Sequence, residues 1–471
     1  MPSLMDIATG KHGEQLQDVF GFVWIIVIFE DTIKRYDMNG FVLELDSEYI
    51  IDGARMELTP RQILEEATGK KGDAAETIGC TGKQEPWQRP EPIVDESMDP
   101  APDSSAFSSG KIDTYLRQMS SSSRRARNIP AFCPEEITRA EIAGALTGTI
   151  WKTGHFRLDD LTIDITWEWE TATIGNMAAF YKSVEAACSY LDLLGIRLGS
   201  YGFTDITKDS GKDNAERKNR GCRMKISVSA ESSGMTHDED DEPVDIAETI
   251  DRDIMNTPDM NPALPQYEMP FRTANPVLGK SRKCPSHVSS DSSDWLIYIP
   301  FDTCKFRLGG SLLAEKSGQA GGKAPDVMDS DYFIDCFEVV REFVEDGVIV
   351  SGAAAGPGGM ICTLDRMASA VPAKAGRLSG IDADISGISR SYGENDLVKI
   401  LFGEVPGVIV EIRDSDFDYV DAEMLLQDVA YYPIGHPGET GLRIASGSQE
   451  GVAGILQALL GQEDIVPEGE D

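Results

Sequence analysis

Two glycine-rich turns have the residue types and spacing that could hold a phosphate. In the first, Arg307-Leu308-Gly309-Gly310-Ser311 leads into a segment that reads as a helix. In the second, Val348, Ile349 and Val350 form a short run of strand composition, Gly356, Gly358 and Gly359 follow, and a second apolar-periodic segment begins at Met360. A glycine turn between a strand and a helix leaves backbone amides free at the positive end of the helix, which suits an anion. The same glycines also suit a tight turn with close backbone packing. Asp414, Asp416 and Asp418 are spaced for a cation, but they suit equally the N-terminus of a helix read at about 418–428, where acids complement the dipole. Nine carboxylates lie between Asp238 and Asp253 against Arg252 alone; they lack the ordered spacing of a calcium loop and read as a solvated loop. Arg124-Arg125-Ala126-Arg127 is either an anion or partner patch or part of a solvated linker.

The elements that must position these turns are legible from periodicity. Phe333, Phe337, Val340 and Phe343 or Val344 mark one buried helical face, with Asp331 placed to cap its start and Gly347 to end it. Leu161, Ile163 and Ile165 alternate with Thr162, Asp164 and Thr166, the period of a half-buried strand. A helix capped by Asn176 follows, with Phe180, Val184, Ala187 or Cys188, and Leu191 on its core face. After Gly195 the chain returns as a strand into 199–207, and another strand covers 224–230. An acidic insertion occupies about 232–270, a strand runs from Trp295 to Ile299, and a strand pair over 397–412 surrounds Glu404 and Gly407. From Pro433 onward the composition predicts fraying. Ahead of all this, residues 19–29, 41–45 and 48–51 read as short strands. Thr59-Pro60-Arg61-Gln62 opens a helix with a capping box, and Gly69 closes it, giving a small α+β unit suited to docking or assembly. Residues 70–130, with alternating prolines, acids and serines, read as a flexible linker.

Composition narrows the function classes. A chain of 471 residues can bury ample core and form two to four domains; 41% hydrophobic and 26% charged residues are ordinary globular values. The balance of 43 basic against 80 acidic residues gives a formal charge of −37, which repels phosphate backbones and anionic lipid. Nucleic-acid and membrane partners are therefore disfavoured. The eight cysteines contain no C-x-x-C pair and read as reduced thiols in a cytoplasmic setting. The longest apolar run, Val19 to Phe29, has eleven residues, too few to span a bilayer.

Six collinear segments resemble the second synthetase half of phosphoribosylformylglycinamidine synthase. They are LTIDITWEWE at 161–170, NMAAFYKSVEAACSYLDLLGI at 176–196, MKISVSA at 224–230, DWLIYIPFDTCKFRLGGSLLAE at 294–315, the block 331–367 and LFGEVPGVIVEI at 401–412. The resemblance covers roughly 140–440 and implies the fold of the aminoimidazole ribonucleotide synthetase-like superfamily. That fold class is α+β (mixed α/β) in two lobes, at 136–285 and 290–440. A small extension at 1–69, a linker at 70–135 and an acidic tail at 441–471 flank the lobes. The resemblance also implies ATP or ADP with magnesium between lobes, and a homodimer or protein partner joined through the sheet of the first lobe.

The family signatures are degenerate. The stretch similar to G-K-D-S is Tyr201-Gly202-Phe203-Thr204-Asp205, with Gly202 and Phe203 at the lysine and aspartate positions and Asp205 left as a candidate metal ligand. The stretch similar to H-D-x-S-x-G-G is Ala353-Ala354-Ala355-Gly356-Pro357-Gly358-Gly359, with alanines for the histidine and the acid. Alanine offers neither a proton nor a ligand, so no catalytic residue is assigned. None of the five histidines lies in a family motif. Glu404 sits where the family has an acid at a strand turn; it could hold magnesium or cap a backbone amide. Gly309, Gly310, Gly356, Gly358 and Gly359 are the candidate cofactor contacts. These residues point to a synthetase-like protein without turnover of its own, holding a structural nucleotide or serving as a partner or scaffold subunit. The alternatives are ATP-dependent amidation with the missing groups from a second chain, or a purely structural protein.

Overall fold

The computed structural model describes residues 42–69, 107–120, 127–207, 221–230, 276–289, 291–318, 322–369 and 379–445. The expected strand at 19–29, the acidic insertion, most of the linker and the acidic tail from 446 lie outside these residues. In chain order, helix α1 (Leu43–Asp46), strands β1 (Ile50–Ile51) and β2 (Ala54–Arg55) and helix α2 (Pro60–Thr68) form a small unit. Helix α3 (Ile112–Ser120) and α4 (Pro134–Thr147) precede β3 (Thr162–Trp169), α5 (Asn176–Leu193), β4 (Arg197–Asp205) and β5 (Arg223–Ser229). Then come β6 (Trp295–Pro300), α6 (Leu312–Ser317), α7 (Ser330–Glu345), β7 (Ile349–Ala355) and α8 (Gly359–Ser369). Strand β8 (Ser379–Asp384), α9 (Ser386–Tyr392), α10 (Leu397–Phe402), β9 (Gly407–Ile412), α11 (Phe417–Leu426), β10 (Tyr432–Gly438) and β11 (Thr440–Ala445) complete a mixed α and β fold.

Two sheets carry the architecture. The first has order β4-β3-β5, with β3 parallel to β4 and antiparallel to β5. Its strands alternate because one face alone is buried: Ile163, Ile165 and Trp167 pack inward with Leu198 and Met224. Helices α4 and α5 cover that face, and α2 docks on α5 and β4. The second sheet has order β11-β8-β10-β6-β9-β7, and its central strands are covered on both sides. Ile297, Ile299, Val408, Val410 and Ile412 join the core of the first sheet, while Leu296, Tyr298 and Ile409 face a second core under α8 and α10. This two-sided burial explains why WLIYIP and GVIVEI are continuous apolar runs rather than alternating ones. Helix α7 lies on the first of these faces. Phe333, Phe337, Val340 and Val344 are all buried, each contributing about 1.5–3 kcal/mol.

Several local expectations hold. Thr59 and Gln62 form the capping box and Gly69 ends α2 in a left-handed conformation. Gly347 takes φ +73° beyond α7, and the glycine turn at 356–359 does join a strand to a helix. Others shift or fail. A strand was expected at 41–45, but Leu43–Asp46 form a helical turn, secured by the Val42 amide donating to Asp46 Oδ2 at 2.7 Å. Residues 397–402 are helix α10, not strand, because Asp396 caps Val398 at 2.9 Å and a short apolar run does not by itself distinguish the two. Asp329, rather than Asp331, caps α7 through Tyr332. Gly175 is the cap residue of α5, and the Asn176 side chain instead donates to Glu170.

The largest differences are at two stretches read as unstructured. Residues 107–120, within the expected linker, carry α3, whose Met119 and the preceding Phe107 are buried in the second core. Tyr115 sets its ring at 6.0 Å and nearly perpendicular to Phe402. From Pro433 to 445 the chain is ordered strand, not frayed: β10 sits inside the six-stranded sheet between β8 and β6. A register shift between Pro433 and Gly435 accommodates the proline, and Gly435 has φ +140° with its Cα too close to Asp382 O for any side chain. Ile434 is the buried apolar anchor of that strand, so the pattern was faint.

The strong acidity has a thermodynamic consequence. Self-repulsion of a chain at −37 opposes compaction and is screened by salt, whereas buried pairs are screened little. The melting temperature should therefore rise between 0.05 and about 1 M NaCl at pH 7, measured by differential scanning calorimetry. A flat or falling dependence would show that surface ion pairs, not repulsion, dominate.

Candidate functional site

Both glycine turns converge on one carboxylate. Glu404 lies between α10 and β9 and is 5% exposed. Its Oε1 accepts the amide of Gly358 at 2.8 Å and the amide of Leu312 at 2.7 Å, and its Oε2 accepts from Arg127 Nη1. Leu312 is the first residue of α6, directly after the Gly309-Gly310-Ser311 turn, and Gly358 precedes α8. The amides expected to cradle a phosphate thus meet a carboxylate of the chain itself. Negative charge belongs there, since both amides lie at helix starts.

Arg127 makes this arrangement possible. It is 3% exposed and bridges Glu404 to Glu141 of α4, whose Oε1 accepts from Arg127 Nε at 3.0 Å. Burial works against the guanidinium charge, but the attraction of Glu404 and Glu141 outweighs it and holds Arg127 above its ordinary pKa. Burial raises the Glu141 carboxyl above its usual range, and Arg127 only partly offsets this. Arg127 and the two carboxylates are thus held together between α4 and the α10–β9 connection.

The individual glycines now divide by cause. An added Cβ would lie 2.3 Å from Gly322 O at Gly309 and 2.6 Å from Ile137 Cδ1 at Gly310, and it would lie 2.5 Å from Leu401 O at Gly359. At Gly358, φ is +91° and the added Cβ would lie 2.6 Å from Cys362 Sγ. Only at Gly356 does it meet open space. Four of the five candidates therefore have a packing reason to be glycine. Of the two candidate metal ligands, Glu404 is engaged with two amides and a guanidinium. Asp205 sits at the end of β4 in the other sheet, where its Oδ1 accepts the amide of Thr207 at 2.9 Å and the Thr171 hydroxyl at 3.3 Å. Gly202 and Phe203, at the expected lysine and aspartate positions, lie within β4, and the Phe203 ring packs 4.9 Å from that of Phe180. Ala353, Ala354 and Ala355 are strand residues of β7.

These residues do not fit the phosphates of a magnesium–nucleotide complex at the turns. The amides are engaged, and among the described residues no group of three or more His, Cys, Asp or Glu could hold a metal ion. His436 sets its ring 4.2 Å from that of Trp295, tilted by 52°, and its Nδ1 lies 2.9 Å from Asp294 O. The seven described cysteines form no disulfide with one another. Among the described residues no helix is long and apolar enough to cross a membrane. Arg127 entered the sequence reading as part of an anion or partner patch or a solvated linker, but its pairing with Glu404 and Glu141 was not foreseen. The available signal was Ile129 and Phe132 just after it, apolar residues that a solvated linker does not need.

No family model matches the chain. It is 23% identical over 313 residues to the probable phosphoribosylformylglycinamidine synthase of Arabidopsis thaliana, covering 64% of this chain and 17% of that protein. It is 26% identical to the human phosphoribosylformylglycinamidine synthase over 146 residues, covering 31% of this chain and 10% of the human protein. With the Schizosaccharomyces pombe protein of the same name it shares 30% identity over 129 residues, 27% of this chain and 9% of that one. The chain thus resembles phosphoribosylformylglycinamidine synthases in sequence while spanning under a fifth of their length. Among solved structures, T. maritima PurL complexed with FGAR superposes at a TM-score of 0.44 with 10% identity, covering 74% of this chain and 47% of PurL. The hydrogenase maturation protein HypE superposes at 0.38 with 10% identity, covering 66% of this chain and 79% of HypE.

Two substitutions separate the charges of the cluster. Glu404→Ala leaves two amides and a buried guanidinium short of an acceptor and should cost about 3–5 kcal/mol, read from urea unfolding at pH 7. Glu141 differs: because its folded pKa is raised, its contribution to stability falls as pH climbs above the ordinary glutamate value of about 4.3. Glu141→Gln should flatten that part of the pH–stability curve, and an unchanged slope would place the excess charge elsewhere. In the second turn, Gly359→Ala should cost more than about 1 kcal/mol and Gly356→Ala less than about 0.5 kcal/mol by the same assay. Equal costs would contradict the packing origin of these glycines.

Proposed function

We propose that the chain is a synthetase-like protein without turnover of its own, acting as a scaffold or partner subunit in a purine-synthase-like, cytoplasmic setting. The observation that supports this most directly is Glu404, whose carboxylate joins the Gly358 and Leu312 amides to Arg127 where a phosphate would otherwise sit. A bound phosphate there would have to displace a buried carboxylate from a charge-assisted network, which costs several kcal/mol. The alanines of β7 supply no general acid, base or metal ligand. A structural ATP or ADP with magnesium, if held, would sit clear of these turns.

A second reading is ATP-dependent amidation completed by another polypeptide. It is supported by the share of the relatives that this chain represents, 17% of the Arabidopsis protein, which leaves most of their length to be supplied by other residues.

Calorimetry with ATP and with ADP plus magnesium, combined with hydrogen exchange at Gly358 and Leu312, tests the first reading. The expected result is that both amides stay protected and unchanged at millimolar nucleotide. Product formed from formylglycinamide ribonucleotide, ammonia and ATP by the purified chain would overturn it. Product formed only after a second polypeptide is added would favour the second reading.

A further inference from the structure

Helix α11 (Phe417–Leu426) is apolar on both of its sides. Val420 and Met424 are buried in the first core, and the Phe417 ring lies 5.0 Å from that of Trp295. At about 3.6 residues per turn, the opposite face presents Tyr419, Ala422 and Leu426, with Leu425 on its flank. Leu425 is 70% exposed and Leu426 76%, and Tyr419 and Ala422 are exposed beside them. A surface helix ordinarily turns its polar residues outward, and a helix that is apolar all round belongs in an interior. A contiguous apolar face left in water marks an interaction surface. We propose that this face of α11 docks an amphipathic helix of a partner protein, one that carries Lys or Arg beside its apolar stripe.

Charge selects the occupant. Asp414, Asp416, Asp418, Asp421, Glu423 and Asp428 lie on or beside α11, and from Asp414 to Leu442 the chain has no Lys or Arg. On the flank toward α7, the Tyr419 ring sits 5.9 Å from that of Phe343, and the exposed Glu342 and Asp346 stand near it. The apolar face is therefore rimmed by carboxylates. A second copy of this chain, meeting the face with the same face, would set those carboxylates against their own kind. Residues 446–471 of this chain hold six acids and no Lys or Arg, so they too are repelled. A basic amphipathic helix meets neither obstacle. Its apolar stripe covers the two leucines, its long basic side chains lay their methylene stems across the patch edge, and their charges reach the rim. The rim steers encounter while the leucines hold the complex. This surface stands apart from the Glu404 cluster, and the reading of that cluster survives whatever docks here.

Fluorescence anisotropy of a labelled Leu/Lys peptide of about 18 residues, long enough to form a helix, tests this with the full chain at about 0.15 M NaCl. A peptide of the same composition in scrambled order and a Leu/Glu counterpart serve as controls. Saturable binding of the helical Leu/Lys peptide alone is expected. The double variant Leu425→Ser/Leu426→Ser should weaken it about tenfold or more, without lowering the melting temperature, because both side chains are exposed. Ala422→Asp, at the centre of the same face, should act likewise, whereas Ile174→Ser, at a residue 90% exposed in the first lobe, should change nothing. Asp418→Lys with Glu342→Lys should weaken the Leu/Lys peptide and favour the Leu/Glu one. The proposal is overturned by equal binding of the scrambled peptide, by an affinity that the leucine and Ala422 variants leave unchanged, or by no binding to the full chain. It is also overturned if sedimentation equilibrium shows a dimer that Leu425→Ser/Leu426→Ser dissolves, which would give the face to a second copy.

Discussion

A buried carboxylate needs partners or it does not stay charged, and the arrangement around Glu404 follows from that requirement. Its two oxygens meet the Gly358 amide, the Leu312 amide and Arg127. Each partner comes from a different part of the chain, so satisfying one charge fixes four segments at once. The starts of α6 and α8 are drawn to the α10–β9 connection, and the segment at 127–133 is drawn against α4. Arg127 reaches on to Glu141 of α4, and the Ile129 amide donates to Cys222 O at 2.6 Å, so the same segment is tied to the first sheet. The cost of leaving any of these groups unpaired in low dielectric is what makes the arrangement unique.

The hydrophobic cores supply the bulk of the stabilisation and the charged cluster sets the register between them. One core runs from α4 and α5 through α7 to one face of the six-stranded sheet, and the other lies on the opposite face under α3, α8 and α10. Apolar burial is non-directional and would tolerate some sliding of these layers. A guanidinium between two carboxylates tolerates little, because its donors are fixed in a plane. The close approaches at Gly309, Gly310 and Gly359 are where the two requirements meet, with backbone packed directly against backbone or side chain.

The glycine turns and the alanines at 353–355 meet the same requirement. A turn that presents amides at a helix start attracts negative charge, whether from a ligand or from the chain. With alanines at 353–355, the negative charge at these helix starts comes from Glu404 of the chain itself. Scaffold and chemistry are then separable: the geometry persists because packing demands it, independent of any ligand.

Periodicity and composition by themselves determined the elements whose burial is regular. The α7 face, the alternation of β3, the doubly buried runs of β6 and β9, and the capping box of α2 all follow from side-chain spacing, because local geometry sets which residues share a face. The acidity was equally plain. Tertiary structure alone decided the rest. Residues 397–402 became helix through a cap at Asp396, and β10 became an inner strand through a bulge and one glycine at φ +140°. Arg127 and Glu404 are 277 residues apart, and no local pattern records that they meet. Their pairing depends on which charges the folded chain removes from water together, and burial of that kind exists only in the folded chain.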